Sequence, residues 1–436
     1  MRTHTALAAG AWLFLLAACG PKPSPTKETA SITDTVPAPA PGMSAVVSPG
    51  EEAGAVPAEQ LTKLAQKVVA TSLSIHPGDV VIIDGGKHTV DLMEALGIEA
   101  QKAGGMIVMF LESDKVARAF YTDTPEKYLD QKPSFLADWF KRTTVYIALP
   151  SAADYKAIYA DVPEAKLAKS AAAAQVIYDM LNSSPIRGAF VDYPSAAQAK
   201  NVGMSFASYS QMRWAAIGAD NQQMAATAKA LAARLNGAKQ VHVTSPGGTD
   251  LTFAIGKRTV IMNTGIVTPE AAREKLLLSR WISLPGGSVS VALQEASVNG
   301  VIATPKDRCK FKSVSDARYE FSKGTLTKAS AKDNDACVQE VLGAYGTGMR
   351  RLGAMTIGIN PANKVVEEGG ADYRPGTAAG FVTLTLGDNQ LLGGGTKVPG
   401  GVTFDLPITR ATIVIDGQTV VQDGKLAAGE VASTQH

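Results

Sequence analysis

Few side chains of this 436-residue chain have the types and spacing that catalysis requires. Of its five histidines, His4 and His436 lie at the ends, His76 and His88 fall in predicted loops, and His242 lies in an apolar run. We interpret the last three as structural or surface residues. Ser288 follows two glycines, but no GxSxG motif and no histidine or aspartate at motif spacing accompanies it. A serine nucleophile is therefore not predicted.

The first of three cysteines ends a secretion-type leader. Arg2 and His4 precede an apolar run, residues 6–18, which is too short to span a bilayer but typical of a signal-peptide core. The run ends in Leu-Ala-Ala-Cys-Gly, which resembles the lipobox of bacterial lipoproteins and predicts lipidation of Cys19. The alternative is a plain secretory signal in residues 1–19 with a chance cysteine.

The other two cysteines, Cys309 and Cys337, remain as an even pair in an oxidising compartment. We predict that they form a disulfide, the alternative being two unrelated buried thiols. No CxxC or similar zinc-binding spacing is present, so they are not read as metal ligands.

Composition limits location and partners. Residues 20–56 are rich in Pro, Ser, Thr and Ala and predict a flexible tether, and residues 429–436 predict a disordered tail. Gly20 resembles the outer-membrane sorting pattern, so we expect a lipid-anchored envelope protein that faces the periplasm. The net charge is +2, and no basic stripe is present, which argues against a nucleic-acid partner.

The helices and strands that must position these residues follow two different patterns along the chain. Residues 57–238 alternate helical runs with apolar strands such as "VVIIDG" and "TTVYIALP", which predicts an α/β domain with a mainly parallel sheet. Gly85 and Gly86 lie between a strand and a helix, but the third glycine of GxGxxG and a GK[ST] motif are missing. They predict a tight connection, and nucleotide binding is the weakest alternative.

Residues 239–428 consist of strands broken by glycine and proline. Period-two alternation with DG and KG turns predicts antiparallel pairs and a strand-rich α+β domain. The stretch "WISLPGGSVSVALQEASVNGVIAT", residues 281–304, is counted in this second domain.

Several blocks of the second domain occur in a familiar order. "GGTDLTFAIGKR", "LPGGSVSVALQEASVNGVI", "YEFSKGTLTKASA", "RRLGAMTIGINP" and "VIDGQTVVQDGKL", with "HPGDVVIIDG" earlier, resemble the thermophilic metallo-aminopeptidase family of the aminopeptidase T and S type. The resemblance implies an α/β domain joined to a second domain with a two-metal centre. It also implies a homodimer with an enclosed cavity, and removal of N-terminal residues from peptides.

The chain departs from this family where the family holds its metals. Ser288 and Ala354 stand where the family has glutamates, and Thr383 and Thr403 stand where it has histidines. Of these positions only Asp405 keeps a ligand, and the family's tyrosine has no counterpart in "DNQLLGGG". Two divalent ions need several anionic oxygens or imidazoles, so one aspartate cannot hold them. We predict a degenerate site that needs no metal cofactor.

Relocated ligands are the alternative to a lost site. Glu295, Glu367, Glu368 and Asp388 are the candidate carboxylates. If an extended strand continued from Ser288 to Glu295, the two would lie on opposite faces and roughly 23 Å apart. Two further matches to the family, Asp250 and Arg258, are read as scaffold residues.

The sequence thus favours an envelope lipoprotein with an aminopeptidase-like fold that no longer hydrolyses peptides. Its expected role is binding or scaffolding, with a peptide as ligand, the membrane as anchor and a second copy as partner. The competing hypothesis is an active aminopeptidase with an unorthodox site that uses a divalent metal such as zinc or cobalt.

Overall fold

The computed structural model describes residues 56–428, which form three sheets with helices around them. The helices are α1 Ala58–Gln66, α2 Val90–Lys102, α3 Asp114–Thr122, α4 Ser134–Phe140, α5 Tyr155–Tyr159, α6 Glu164–Ser183, α7 Ala196–Asn201, α8 Phe206–Ile217, α9 Asn221–Leu235 and α10 Asp335–Ala344. Within residues 56–428, no helix has the length and apolar character that a membrane crossing needs.

The strands number eighteen in the described residues. They are β1 Val80–Gly86, β2 Met106–Glu112, β3 Val145–Ala148, β4 Arg187–Val191, β5 Val241–Thr244, β6 Asp250–Phe253, β7 Val260–Asn263, β8 Trp281–Leu284, β9 Ser288–Ala292, β10 Asn299–Cys309, β11 Lys312–Ser322, β12 Thr325–Ser330, β13 Leu352–Gly358, β14 Val382–Gly387, β15 Thr403–Ile408, β16 Thr412–Ile415, β17 Gln418–Gln422 and β18 Lys425–Leu426.

The first sheet has the order β2-β1-β3-β4-β8, and all of its strands are parallel. Both faces are covered by apolar side chains: Val81 and Ile83 point into one cluster, and Ile82 points into another. Burial on both faces explains why these strands are continuous apolar runs. The predicted α/β architecture is confirmed.

Strand β8 lies in a different sheet from the one we expected. Trp281–Leu284 was counted with the second domain, yet it pairs in parallel with β4 of the first sheet. The physical reason is that its side chains fill cores on both faces, with Trp281 in one cluster and Ile282 in the other. Gly188 makes room for it, because a Cβ there would come within 2.5 Å of the Trp281 ring.

The second and third sheets are antiparallel, as the turn pattern predicts. The second has the order β12-β11-β10-β6-β5-β16-β17-β18, and the third has the order β15-β14-β13-β9-β7. They share one large core, to which Val243 and Leu251 contribute from the second sheet and Val291 and Leu384 from the third. This strand-rich unit is the predicted α+β half.

Cys309 and Cys337 form a disulfide that joins the end of β10 to α10, in agreement with the predicted pairing. The signal peptide, Cys19, nearly all of the tether and the tail from residue 429 lie outside the described residues.

Candidate functional site

The five positions at which the family resemblance implies metal ligands all lie on the third sheet. Ser288 begins β9, Ala354 lies on β13, Thr383 on β14, and Thr403 and Asp405 on β15. The sheet therefore brings together residues that are more than a hundred positions apart in the chain.

The pairing register puts these side chains on one face. Asp405 pairs with Thr385, Thr385 with Ala354, and Ala354 with Ala292, which makes one row across four strands. Paired residues of neighbouring strands share a face, as do alternate residues of one strand. Ser288, Thr383 and Thr403 lie at even spacings from members of this row, so they face the same way. We call this side of the third sheet the hydroxyl face.

Hydroxyl groups dominate that face. Thr385 donates a hydrogen bond to Asp405 at 2.7 Å, and the Ser290 and Thr356 hydroxyls lie 2.8 Å apart. The Thr403 hydroxyl is buried and has no hydrogen-bond partner. The face therefore offers neutral donors and acceptors and one carboxylate.

Part of the face is covered by apolar side chains. Ala354 belongs to a cluster with Ile261, Ala292 and Leu392, and it is only 3% exposed. The position that the family resemblance assigns to a glutamate ligand is thus filled by an apolar contact.

The side chains present do not fit a two-metal centre. Serine and threonine hydroxyls are neutral, weak ligands, alanine offers none, and Asp405 is the one carboxylate among the five positions. Two divalent ions held close together need several anionic or imidazole donors to offset their charge. Across residues 56–428, no group of three or more His, Cys, Asp or Glu side chains could hold a metal ion.

Glu295 is committed to a structural network. An extended strand does not continue from Ser288 to Glu295, as the distance estimate assumed. Strand β9 ends at Ala292, and Glu295 begins a 3₁₀ turn. Its carboxylate pairs with Arg258 at 2.7 Å and accepts hydrogen bonds from the Asn389 side chain and the Gly395 N–H. Burial raises its pKa, but these hydrogen bonds and the Arg258 charge outweigh burial and leave the pKa below its usual value.

The remaining candidate carboxylates are paired elsewhere or lie at the surface. Asp388 accepts hydrogen bonds from the Tyr178 hydroxyl and the Val398 N–H, Glu367 pairs with Arg374, and Glu368 lies at the surface. Asp388 is buried, which raises its pKa despite those hydrogen bonds. None of the three completes a metal group.

The histidines lie elsewhere. His242 contacts Asp250 at 2.8 Å on the exposed side of the second sheet, and His76 lies in a turn beside Asp79. Burial lowers the pKa of His88, whose ring packs edge-on near Tyr193. The structure thus places them away from the hydroxyl face.

The sequence analysis missed a pair of buried carboxyl groups in the first domain. Asp84 and Glu112 lie near the carboxyl ends of the adjacent strands β1 and β2, and both are at most 7% exposed. Tyr146 donates to one oxygen of Asp84 at 2.5 Å, while the other oxygen and both oxygens of Glu112 have no hydrogen-bond partner. The signal in the sequence was an acid near the end of each of two apolar runs.

Burial controls the ionisation of this pair. It raises the pKa of Asp84 to about 7, although the hydrogen bond from Tyr146 acts in the opposite direction. Burial also raises the pKa of Glu112 well above its usual value, and the nearby charge of Asp84 adds to the effect. Both groups therefore keep their protons to a higher pH in the folded protein than in the unfolded chain.

Glu112→Gln is expected to stabilise the protein at high pH. A carboxyl group whose pKa is raised by folding favours the folded state below its unfolded pKa, near 4.3. That stability is lost as pH rises towards the folded pKa. The variant removes this loss, so its free energy of unfolding should exceed that of the wild type by an amount that grows between pH 5 and pH 8.

Urea unfolding at both pH values measures this difference. The surface variant Glu126→Gln is the control and should follow the wild type at each pH. A Glu112→Gln variant whose stability relative to the wild type does not change between pH 5 and pH 8 would contradict the raised pKa.

Comparison with known proteins gives one family and several similar solved structures. The family model described as thermophilic metalloprotease (M29) matches residues 58–367. No curated protein sequence matches the chain.

The solved structures are similar in fold. Wild-type AmpT from Thermus thermophilus has a TM-score of 0.67 and 19% identity, covering 85% of this chain and 99% of its own. A 2,5-dihydroxypyridine dioxygenase from Pseudomonas putida has a TM-score of 0.58 and 14% identity, covering 86% of this chain and 99% of its own.

Proposed function

The chain belongs to the thermophilic metalloprotease (M29) family, and from that premise we propose that it is a non-hydrolytic member that binds a peptide on the hydroxyl face. We propose further that Cys19 carries a lipid that anchors the protein in the cell envelope, on the outer membrane and facing the periplasm. The role is binding or scaffolding, and no metal cofactor takes part.

One observation carries the proposal. The five positions on one face of the third sheet present serine, alanine, two threonines and a single aspartate. The loss of charged ligands is coordinated, because it affects three strands besides the one that keeps Asp405. A face of this composition lacks the donors for a metal-bound nucleophile.

The same face suits an uncharged, hydrogen-bonding ligand. The hydroxyls of Ser290 and Thr356, which belong to half-buried residues, can donate to and accept from the N–H and C=O groups of a peptide. Asp405 offers a carboxylate to a peptide's ammonium group.

The fold by itself does not require peptide hydrolysis. One of the similar solved structures is named as a dioxygenase. A fold can host unrelated chemistries, so function has to be argued from the side chains of the site.

Metal analysis and peptidase assays test the loss of hydrolysis. The purified full chain, incubated with zinc or cobalt, is expected to hold no stoichiometric metal and to show no chelator-sensitive turnover of an aminoacyl reporter. Stoichiometric metal together with chelator-sensitive turnover would instead support an active aminopeptidase with an unorthodox site.

Palmitate labelling tests the lipid anchor. We expect the wild type to be labelled and the Cys19→Ser variant not to be labelled.

Peptide binding is tested by calorimetric titration with a library of short peptides. A peptide that binds the wild type should bind Asp405→Asn about tenfold more weakly or worse, because a hydrogen bond to a charged group is worth about 1.5–3 kcal/mol. Asp250→Asn, on the second sheet, is the matched control and should bind like the wild type. Peptides that bind both variants equally, or no peptide at all, would count against the proposed site.

A further inference from the structure

The strand order of the first sheet reverses at β1. The chain runs from β1 outward to β2 and then returns to β3 on the other side of β1. In open parallel sheets such a reversal leaves a crevice beyond the carboxyl ends of the strands, and ligands bind there. We call this end of the sheet the β1 crevice, which comprises residues 86–89, 112–114, 149–153 and 192–193.

Side chains from three of these segments converge at Gly86. Gly86 pairs with Glu112 in the register of β1 and β2, so the two residues are side by side in neighbouring strands, about 4.8 Å apart. A Cβ at Gly86 would come within 2.9 Å of the His88 Nδ1 and within 2.5 Å of the Ser151 carbonyl oxygen. Gly86 therefore lies between Glu112 on one side and His88 and Ser151 on the other.

Several polar atoms in the β1 crevice lack a partner. Both carboxyl oxygens of Glu112 and both ring nitrogens of His88 are buried without a hydrogen bond, and so is the hydroxyl of Tyr159, which interacts electrostatically with Glu112. The Ser151 hydroxyl lies close to Glu112, but it is engaged with the Tyr155 hydroxyl at 3.2 Å. Buried polar groups are costly when unpaired and are nearly always hydrogen-bonded. Their concentration here indicates a ligand that supplies the partners.

The charge of the β1 crevice selects the kind of ligand. Burial and the charge of Asp84 raise the pKa of Glu112, and Asp114 adds to this effect. Burial lowers the pKa of His88, whereas the charges of Asp114 and Asp192 act in the opposite direction. Asp114 is thus close to both Glu112 and His88, and the surroundings of the unpartnered atoms are acidic.

The neighbouring cations do not offset these acids. Arg213 is already paired with Asp192, and Lys87 is exposed at the surface. An anion such as a nucleotide phosphate would be repelled, whereas a cation would be attracted. Within residues 56–428 no group of histidines and acids suits a metal ion, which leaves an organic cation.

We propose that the β1 crevice binds the primary ammonium group of a small organic amine, which donates hydrogen bonds to Glu112, His88 and Tyr159. An alkylammonium group has three N–H donors, and a neutral imidazole ring has one acceptor nitrogen. The ammonium charge would offset the carboxylates of Glu112 and Asp114. This site lies in the first sheet and does not depend on the function proposed for the hydroxyl face.

NMR titration of the full chain with ¹³C-labelled histidine rings tests the proposal. The His88 signals are assigned by their absence in His88→Gln. Propylamine should shift them saturably, whereas propan-1-ol, which has no charge, and tetramethylammonium, which has no N–H donor, should not. A His88 signal that propylamine does not move, or that all three compounds move equally, would overturn the site.

Variants locate the bound amine. Glu112→Gln should bind propylamine about tenfold more weakly or worse, because it loses a hydrogen bond to a charged group. The surface variant Glu126→Gln and the hydroxyl-face variant Asp405→Asn should bind it like the wild type. Urea unfolding of Glu112→Gln verifies that this variant is folded. Binding that Asp405→Asn abolishes and Glu112→Gln keeps would place the amine on the hydroxyl face and refute the β1 crevice.

Two further amines identify the source of the ammonium group. Putrescine represents a diamine, and glycinamide represents an amino-acid amine. The one that binds more tightly than propylamine names the class of ligand, and if neither does, the ligand is a simple monoamine.

Discussion

Arg213→Met is expected to lower the free energy of unfolding by about 3–5 kcal/mol, the usual cost of removing one partner from a buried ion pair. Arg213 is 7% exposed and Asp192 is 4% exposed. The guanidinium donates to Asp192 from Nε at 2.7 Å and also from Nη2, and Nη1 donates to the Tyr373 hydroxyl at 2.6 Å. Without Arg213, the Asp192 carboxylate remains buried with no countercharge.

This ion pair also ties together distant parts of the chain. Asp192 follows β4 of the first sheet, Arg213 lies on α8, and Tyr373 lies in the segment between β13 and β14. Tyr373 in turn donates to Asn363 of that segment at 3.2 Å. Loss of Arg213 should therefore weaken the packing of the first domain against the third sheet.

Urea denaturation measures the effect of Arg213→Met. The double variant Arg213→Met/Asp192→Asn should recover part of the stability, since it leaves no unpaired charge. Arg410→Met removes an exposed pair with Asp423 and should change the midpoint little. An Arg213→Met variant as stable as Arg410→Met would show that the buried pair contributes nothing.

Removal of the disulfide is expected to cost roughly 3–4 kcal/mol on the chain-entropy model. The two cysteines are 28 residues apart in sequence, and their disulfide closes the intervening loop within the strand-rich half. The bond fixes the end of the β10–β11 pair, where Lys310 makes an ion pair with Glu164 of α6 at 2.6 Å. Cys309→Ala/Cys337→Ala should unfold at a lower denaturant concentration and free this end.

The control for the disulfide is the wild type under reducing conditions, which should approach the stability of the double variant. The double variant itself should not respond to reductant. Equal unfolding midpoints for the oxidised wild type and the double variant would contradict the expected contribution.

The members of the hydroxyl face could be proposed from the sequence only through the family resemblance, which singled out Ser288, Ala354, Thr383, Thr403 and Asp405. The strand pattern predicts which residues of one strand share a face. It does not predict that these four strands are neighbours, so the grouping of the five positions on one face required the structure. Their hydrogen bonds, such as Thr385 to Asp405, depend on cross-strand register and became visible only in the structure.

Features that depend on strand order could not be predicted. "WISL" is an apolar run like those of the first domain, but its pairing with β4 joins residues far apart in sequence. The "MIVMFL" run of β2 looks like a central, buried strand, and only the order of the sheet reveals that it forms an open edge. The coupling of Asp84 and Glu112 requires β1 and β2 to be neighbours.

The return of β8 to the first sheet limits how the protein can be divided. Trp281–Leu284 completes the first sheet, and after Gly286 and Gly287 the same stretch becomes β9 of the hydroxyl face. The glycines are needed there, because a Cβ at Gly287 would come within 2.6 Å of Asn360, and its φ is +103°. A chain cut near Ala238 would thus leave β4 with an open apolar edge. The first half alone should therefore be prone to aggregation, because an unpaired apolar strand edge is a template for pairing with other chains.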